Sequence, residues 1–242
     1  RVAARQEEVL DVLARRSEQE TALLRMERHA PPEAATDVHR RRAWWLAHAD
    51  CFPEAQAEAE RALELARRTA DGGRTVAALT TLGMIACFAG RAADGVVHLE
   101  AAAGLRGADR RQQADARNAL GQNLIDLQRF DEAEPQLLAA LALYGELQDA
   151  RGQAEVLGML GTLRMERGES DLAEADFTRA IDMSRTIGYR HGEAVYQMNL
   201  GILHVIRNRL GAALAAFDAA AITYADIDNR RGRALVLANS AW

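Results

Sequence analysis

The apolar positions of this chain follow a helical rhythm in which small and bulky residues alternate in a set order. Ala133, Leu137 and Ala140 stand four and three residues apart, and so do Ala173, Phe177, Ala180 and Ala213, Phe217, Ala220. Gly95, Leu99 and Ala102 repeat the order more loosely, and Ala55, Ala59 and Ala62, after Phe52, form an earlier copy. Residues at i, i+4 and i+7 share one face of an α-helix, so each set is a buried stripe. Twelve residues before the first member of four of these sets lies a glycine: Gly83, Gly121, Gly161 and Gly201, spaced 38, 40 and 40. No stretch alternates apolar and polar residues as a half-buried strand would.

The order has a physical cause. A glycine in helix A and a small residue in helix B let the two helices approach, and the bulky residue fills the slot that remains. One such pair buries only part of its apolar surface and must stack on the next. The chain is therefore expected to be all-α, a right-handed superhelical solenoid of antiparallel helix pairs. The pairs are expected at about 33–70, 73–105, 110–148, 150–188 and 190–228, with a half-repeat at 230–242, in one continuous solenoid over 31–242. Residues 1–30, with Val9, Leu10, Val12, Leu13, Leu23 and Leu24 apolar, read as a degenerate pair or cap that Pro31-Pro32 closes. Gly72-Gly73, Gly104, Gly107 and Gly188 fall at the joints as helix terminators, and Pro135 is expected in the first turn of its helix.

Composition sharpens the picture. Hydrophobic residues reach 49% while aromatics are 5%, so the core is built from Ala and Leu, both strong helix formers. The net charge of -5 argues against direct nucleic-acid binding, which needs concentrated positive charge. All 30 basic residues are Arg, a bias that reads as the codon usage of a GC-rich bacterial genome. Without lysine no phosphate-binding G-x-x-x-x-G-K-[ST] loop can form. The six histidines are scattered singly, Cys51 and Cys87 lack metal-ligand spacing, and no apolar run is long enough to cross a bilayer. The expectation is a cytoplasmic protein with no cofactor, no metal, no catalytic residues and no membrane partner.

These blocks resemble the tetratricopeptide signature, with Leu-Gly in helix A and Ala…Phe…Ala in helix B. The resemblance covers roughly residues 33–242, lacks the signature tryptophan in most copies, and has a period nearer 40 than 34. The extra residues are expected to lengthen the helices by about a turn. The junctions DARGQAEVLGMLG, GYRHGEAVYQMNLG and DNRRGRALVLANSA look like those of the long helical-repeat regions of bacterial LuxR-type ATP-binding regulators and of STAND ATPases that carry cyclase domains. That resemblance implies a protein-binding regulatory arm cut from a larger signalling or transcription regulator. Its partner would be a protein or peptide segment or a sister subunit. The alternative is a sensor that binds a small inducer or a signalling peptide in the same groove.

In such solenoids helix A lines the concave face. This places Arg40 and Trp44 on the face in the first pair, then Thr80, Met84 and Phe88, and then Asn118, Gln122 and Asp126. The fourth pair offers Thr162 and Glu166, and the fifth Met198, Ile202, Val205 and Ile206. The middle of the face reads polar and acidic and its C-terminal end apolar. Leu235, Leu237 and Trp242 on the last half-repeat make that end a candidate for weak self-association.

Overall fold

The computed structural model describes residues 34–105 and 107–240; the expected pair within 2–29, Pro31-Pro32 and Trp242 lie outside them. Among the described residues there are eleven α-helices and no strand. They fall into two compact units that meet between Ala108 and Asp109. The first unit holds α1 (Ala35–His48), α2 (Phe52–Arg68), α3 (Gly72–Phe88) and α4 (Ala92–Gly104). The second holds α5 (Arg110–Asp126), α6 (Phe130–Glu146), α7 (Ala150–Glu166), α8 (Ser170–Thr186), α9 (Arg190–Ile206), α10 (Leu210–Asp226) and α11 (Arg230–Asn239).

Within each unit every helix packs on the one before it. The first helices of successive pairs also touch, α1 against α3 in the first unit and α5 against α7 and α7 against α9 in the second. This is the stacking of antiparallel pairs that a repeat solenoid requires.

The glycines set the packing distance. A Cβ on Gly161 would lie 2.7 Å from the Phe177 ring, and one on Gly201 would lie 2.6 Å from the Phe217 ring. Gly121 meets Leu137 and Gly83 meets Leu99 in the same way, each at 2.5 Å. Phe177, Leu137 and Leu99 are fully buried. A helical glycine costs about 1 kcal/mol relative to alanine; here the close approach of a buried ring or leucine offsets it. A second set joins one pair to the next, since Gly152 lies under the Tyr144 ring and Gly232 under the Tyr224 ring.

The period comes from helices and turns of constant length. In the second unit the helices α5 to α10 are each 17 residues long, and three-residue turns separate them, so a helix begins every twenty residues from 110 to 230. Each turn closes by a doubled hydrogen bond around one left-handed residue. After α5, Gln128 N–H donates to Ile125 O and Arg129 N–H to Leu124 O, both at 2.8 Å, with Gln128 at φ 57°. Ala70, Gln148, Asn208 and Asp228 hold the same position, as do Gly168 and Gly188. Glycine is thus not the general terminator that the sequence suggests. Gly72 opens α3, and the left-handed residue of that turn is Ala70, two positions earlier.

The step from α4 to α5 differs. α4 has 13 residues and runs out into an extended Leu105, and α5 starts afresh on a capping box between Asp109 and Gln112. This joint accounts for the glycine spacing of 38 where the later ones are 40. Pro135 lies inside α6, one turn deeper than expected, because the helix begins at Phe130. Within the second unit, guanidinium groups at the ends of α7 and α9 tie each of these pairs to the one before it. Arg167 reaches Asp131 and Glu134, both at 2.6 Å, and Arg207 reaches Asp171 at 2.7 Å and Glu174 at 2.8 Å.

Candidate partner-binding groove

The face formed by the first helices of the pairs carries the candidate site, and the two units present it differently. In the first unit α1 and α3 bring Arg40, Trp44, Thr80, Met84 and Phe88 to one side. The Trp44 ring stacks on His48 at 6.0 Å and meets the half-exposed Phe88 edge-on at 5.9 Å. Arg40 pairs with Asp37 at 3.1 Å and donates to Thr81 Oγ1 at 3.3 Å. The Thr80 hydroxyl donates to Val76 O at 2.9 Å. Most polar groups on this face are thus bonded to one another.

In the second unit α5, α7 and α9 enclose a groove of about 430 Å³. It runs obliquely, from the C-terminal turn of α5 (Gln122, Ile125, Asp126) across the middle of α7 (Glu155, Gly158, Met159, Thr162) to the N-terminal half of α9 (His191, Val195, Tyr196, Asn199). That volume lies within the ~300–1,000 Å³ typical of ligand pockets. Its aromatic wall depends on one glycine. Tyr196 lies so close to α7 that a Cβ on Gly158 would come within 2.2 Å of the ring. Tyr196 is 7% exposed, and burial pushes its phenol well above the usual tyrosine range. Tyr189, the residue that precedes α9, is raised too, first by burial and then by the neighbouring Glu155. Arg151 lies over the Tyr189 ring at 4.3 Å and donates from Nε to Glu155 at 3.0 Å.

The carboxylates on this face are not equivalent. Tyr144 donates to Asp115 at 2.6 Å, and Arg151 neutralises Glu155. Asp126 is the last residue of α5, where the helix's unpaired carbonyls concentrate negative potential. Burial raises its carboxyl above the usual range, with no cation contributing to the shift.

Of the residues singled out from the sequence, Gln122, Asp126 and Thr162 line the groove together. Asn118 lies one turn before Gln122 with its Oδ1 buried and unpartnered, and Glu166 is exposed at the end of α7. Met198 turns inward. It is 8% exposed and packs in a cluster with Ala213, Phe217, Tyr224 and Val236, against which the half-buried Ile202 and Val205 also rest. Ile206 is 62% exposed, and so are Leu235 at 50% and Leu237 at 62%. Read along equivalent positions, the face passes from Asp115 through Glu155 and Val195 to Leu235, and from Gln122 through Thr162 to Ile202. Sequence reading passed over Tyr189, His191, Tyr196 and Gly158. The available signal was a third glycine in α7, in addition to Gly152 and three residues before the packing glycine Gly161.

Among the described residues no three His, Cys, Asp or Glu side chains group so as to hold a metal ion, and no helix is long and apolar enough to cross a membrane. No family model matches the chain. The regulatory protein AfsR of Streptomyces griseus is 33% identical to it over 104 residues, which make up 43% of this chain and 11% of that protein. Among solved structures the chain is similar to BtubC (BKLC) from P. vanneervenii, with TM-score 0.72, 20% identity, and 89% of this chain and 90% of that one covered. It is similar to a Rap protein complexed with Competence and Sporulation Factor, with TM-score 0.75, 14% identity, and 90% and 61% covered. The third likeness is to the nearly identical TPR-like repeats of a putative kinesin light chain from Podosopora anserina, with TM-score 0.67, 13% identity, and 83% and 99% covered. The fold is therefore that of the tetratricopeptide-like repeat proteins.

Proposed function

We propose that this chain is a non-catalytic regulatory arm of a larger bacterial ATP-binding regulator, and that it works by holding a protein segment in the groove of its second unit. The observation that carries the reading is the groove itself. Three first helices, stacked without interruption at forty-residue steps, present acidic, aromatic and apolar side chains along one oblique channel. A segment bound there touches three repeats at once, so it biases their relative packing and through it the state of the parent protein. The likeness to a stretch of AfsR supports the regulatory part, and the repeat junctions support membership of the LuxR-type and STAND group. The chain spans about a tenth of the length of that relative.

A second reading, a sensor for a small inducer or signalling peptide, is favoured by one observation. The Rap protein of similar fold was solved with Competence and Sporulation Factor bound. Both readings place the ligand in the same groove, and both are tested by blocking it. Peptides selected from a displayed library against the whole chain are expected to bind with micromolar affinity. They should lose at least about tenfold, or 1.4 kcal/mol, when Thr162→Trp fills the channel. Equal binding to the wild-type and filled chains would remove the groove from the account.

A further inference from the structure

The groove has a chemical preference built into one end. Asp126 terminates α5, where the last carbonyls of the helix already favour a positive charge. Its side chain is exposed at the rim of the groove, where packing atoms still penalise its charged form and no cation sits against it. The groove's other carboxylate, Glu155, is occupied by Arg151. No arginine or lysine lines the channel, and His191 is the one basic side chain along it. Ile125 and Met159 flank the same space with apolar surface, suited to the aliphatic stem of a long basic side chain. The site thus has a carboxylate without a cation partner, beside a surface that a methylene chain can cover. An incoming monocation favours the charged form of Asp126, whereas a partner carboxylate opposes it.

We propose that the groove selects a segment carrying an arginine or lysine, whose cationic group is held at Asp126 while a neighbouring apolar residue rests against Val195 and Tyr196. This rests on the groove being the partner site, and it adds the chemistry of the partner. Arg151 over the Tyr189 ring shows the same pairing of cation, carboxylate and aromatic surface already made once within the chain. The bound segment therefore repeats with its own side chain what Arg151 does for Glu155.

The test uses four tripeptide amides, N-acetylated Leu-X-Leu with X as arginine, lysine, citrulline or glutamate, titrated into the whole ¹⁵N-labelled chain. Citrulline keeps the shape of arginine without its charge. The arginine and lysine peptides are expected to shift the amides of 122–126 and 155–162 and to bind at least about fivefold more tightly than the citrulline peptide. Asp126→Asn should abolish that ratio while leaving the helical circular dichroism unchanged, and Asp126→Glu should largely restore it. Binding of the arginine peptide should weaken at acid pH as Asp126 becomes protonated. If the citrulline peptide shifts the same amides with equal affinity, the cation preference is wrong while the groove remains the partner site. If Asp126→Asn weakens all four peptides alike, Asp126 acts only on the shape of the groove and the proposal fails. If none of the four peptides moves a groove amide, both readings fall.

Discussion

The first unit and the second are built from the same helix pair, yet they leave different faces behind. In the first, Arg40 is tied to Asp37 and Thr81, and Trp44 rests between His48 and Phe88. That face is largely satisfied by itself. In the second, Asp126 ends a helix without a cation, and Gly158 lets Tyr196 pack closely against α7, where both line the channel. The spacing differs as well, since twenty-residue steps run unbroken from α5 to α11 whereas the first unit ends on the shorter α4 and an extended Leu105. Strict period keeps successive first helices abreast, and it is the abreast helices that share a groove. The identity of the side chains then decides whether the groove is closed by its own members or left for another molecule.

Five perturbations break or sharpen this contrast, in falling order of expected effect. Gly201→Leu forces side-chain atoms into the Phe217 ring and should destabilise by ~1–3 kcal/mol through overpacking. Amide exchange should accelerate across 109–240 and much less across 34–105; equal acceleration in both would mean that the units do not unfold separately. Pro135→Ala restores a backbone hydrogen bond inside α6 and should stabilise the second unit by up to ~3 kcal/mol. An unchanged denaturant midpoint would show that the helix has already adapted around the ring.

Smaller gains come from glycine placement. Ala70, at φ 52°, carries the strain of a left-handed residue in the first unit, so Ala70→Gly should add ~0.5–1 kcal/mol. Gly145, with open space where its Cβ would stand, should gain a similar amount as alanine in the second unit. Reversed signs in thermal melts would contradict the assignment of turn and helix positions. The smallest effect is at the site. The raised pKa of Asp126 means that the folded state favours its protonated form, so this contribution is present at low pH and is lost as the pH rises through the folded pKa. Asp126→Asn should therefore raise the melting temperature slightly at pH 7 and leave it unchanged near pH 3. A loss at pH 7 would show that the carboxylate is already compensated.

The fold was legible because its main contacts repeat. Gly161 with Phe177 and Gly201 with Phe217 recur at one spacing, and a buried ring over a glycine has few structural solutions. The turns were less legible, since the doubled hydrogen bond tolerates Ala, Gln, Asn or Asp at its left-handed position and so leaves no constant letter. The groove was legible only on the polar side. Gln122, Asp126 and Thr162 stand where helical spacing puts them, whereas Met198 is drawn inward by the apolar cluster around Phe217 and Tyr224. The Tyr196 wall exists because of a glycine on a different helix, 38 positions earlier, and no local pattern carries that dependence.

The central claim, that the second unit's groove holds the partner, is tested most directly by a structure of the chain bound to a peptide selected against it. The account predicts the peptide lying obliquely across α5, α7 and α9, in contact with Asp126, Thr162 and Tyr196. A peptide seated instead on the Trp44 and Phe88 face of the first unit, or at the turns beside Arg167 and Arg207, would contradict it.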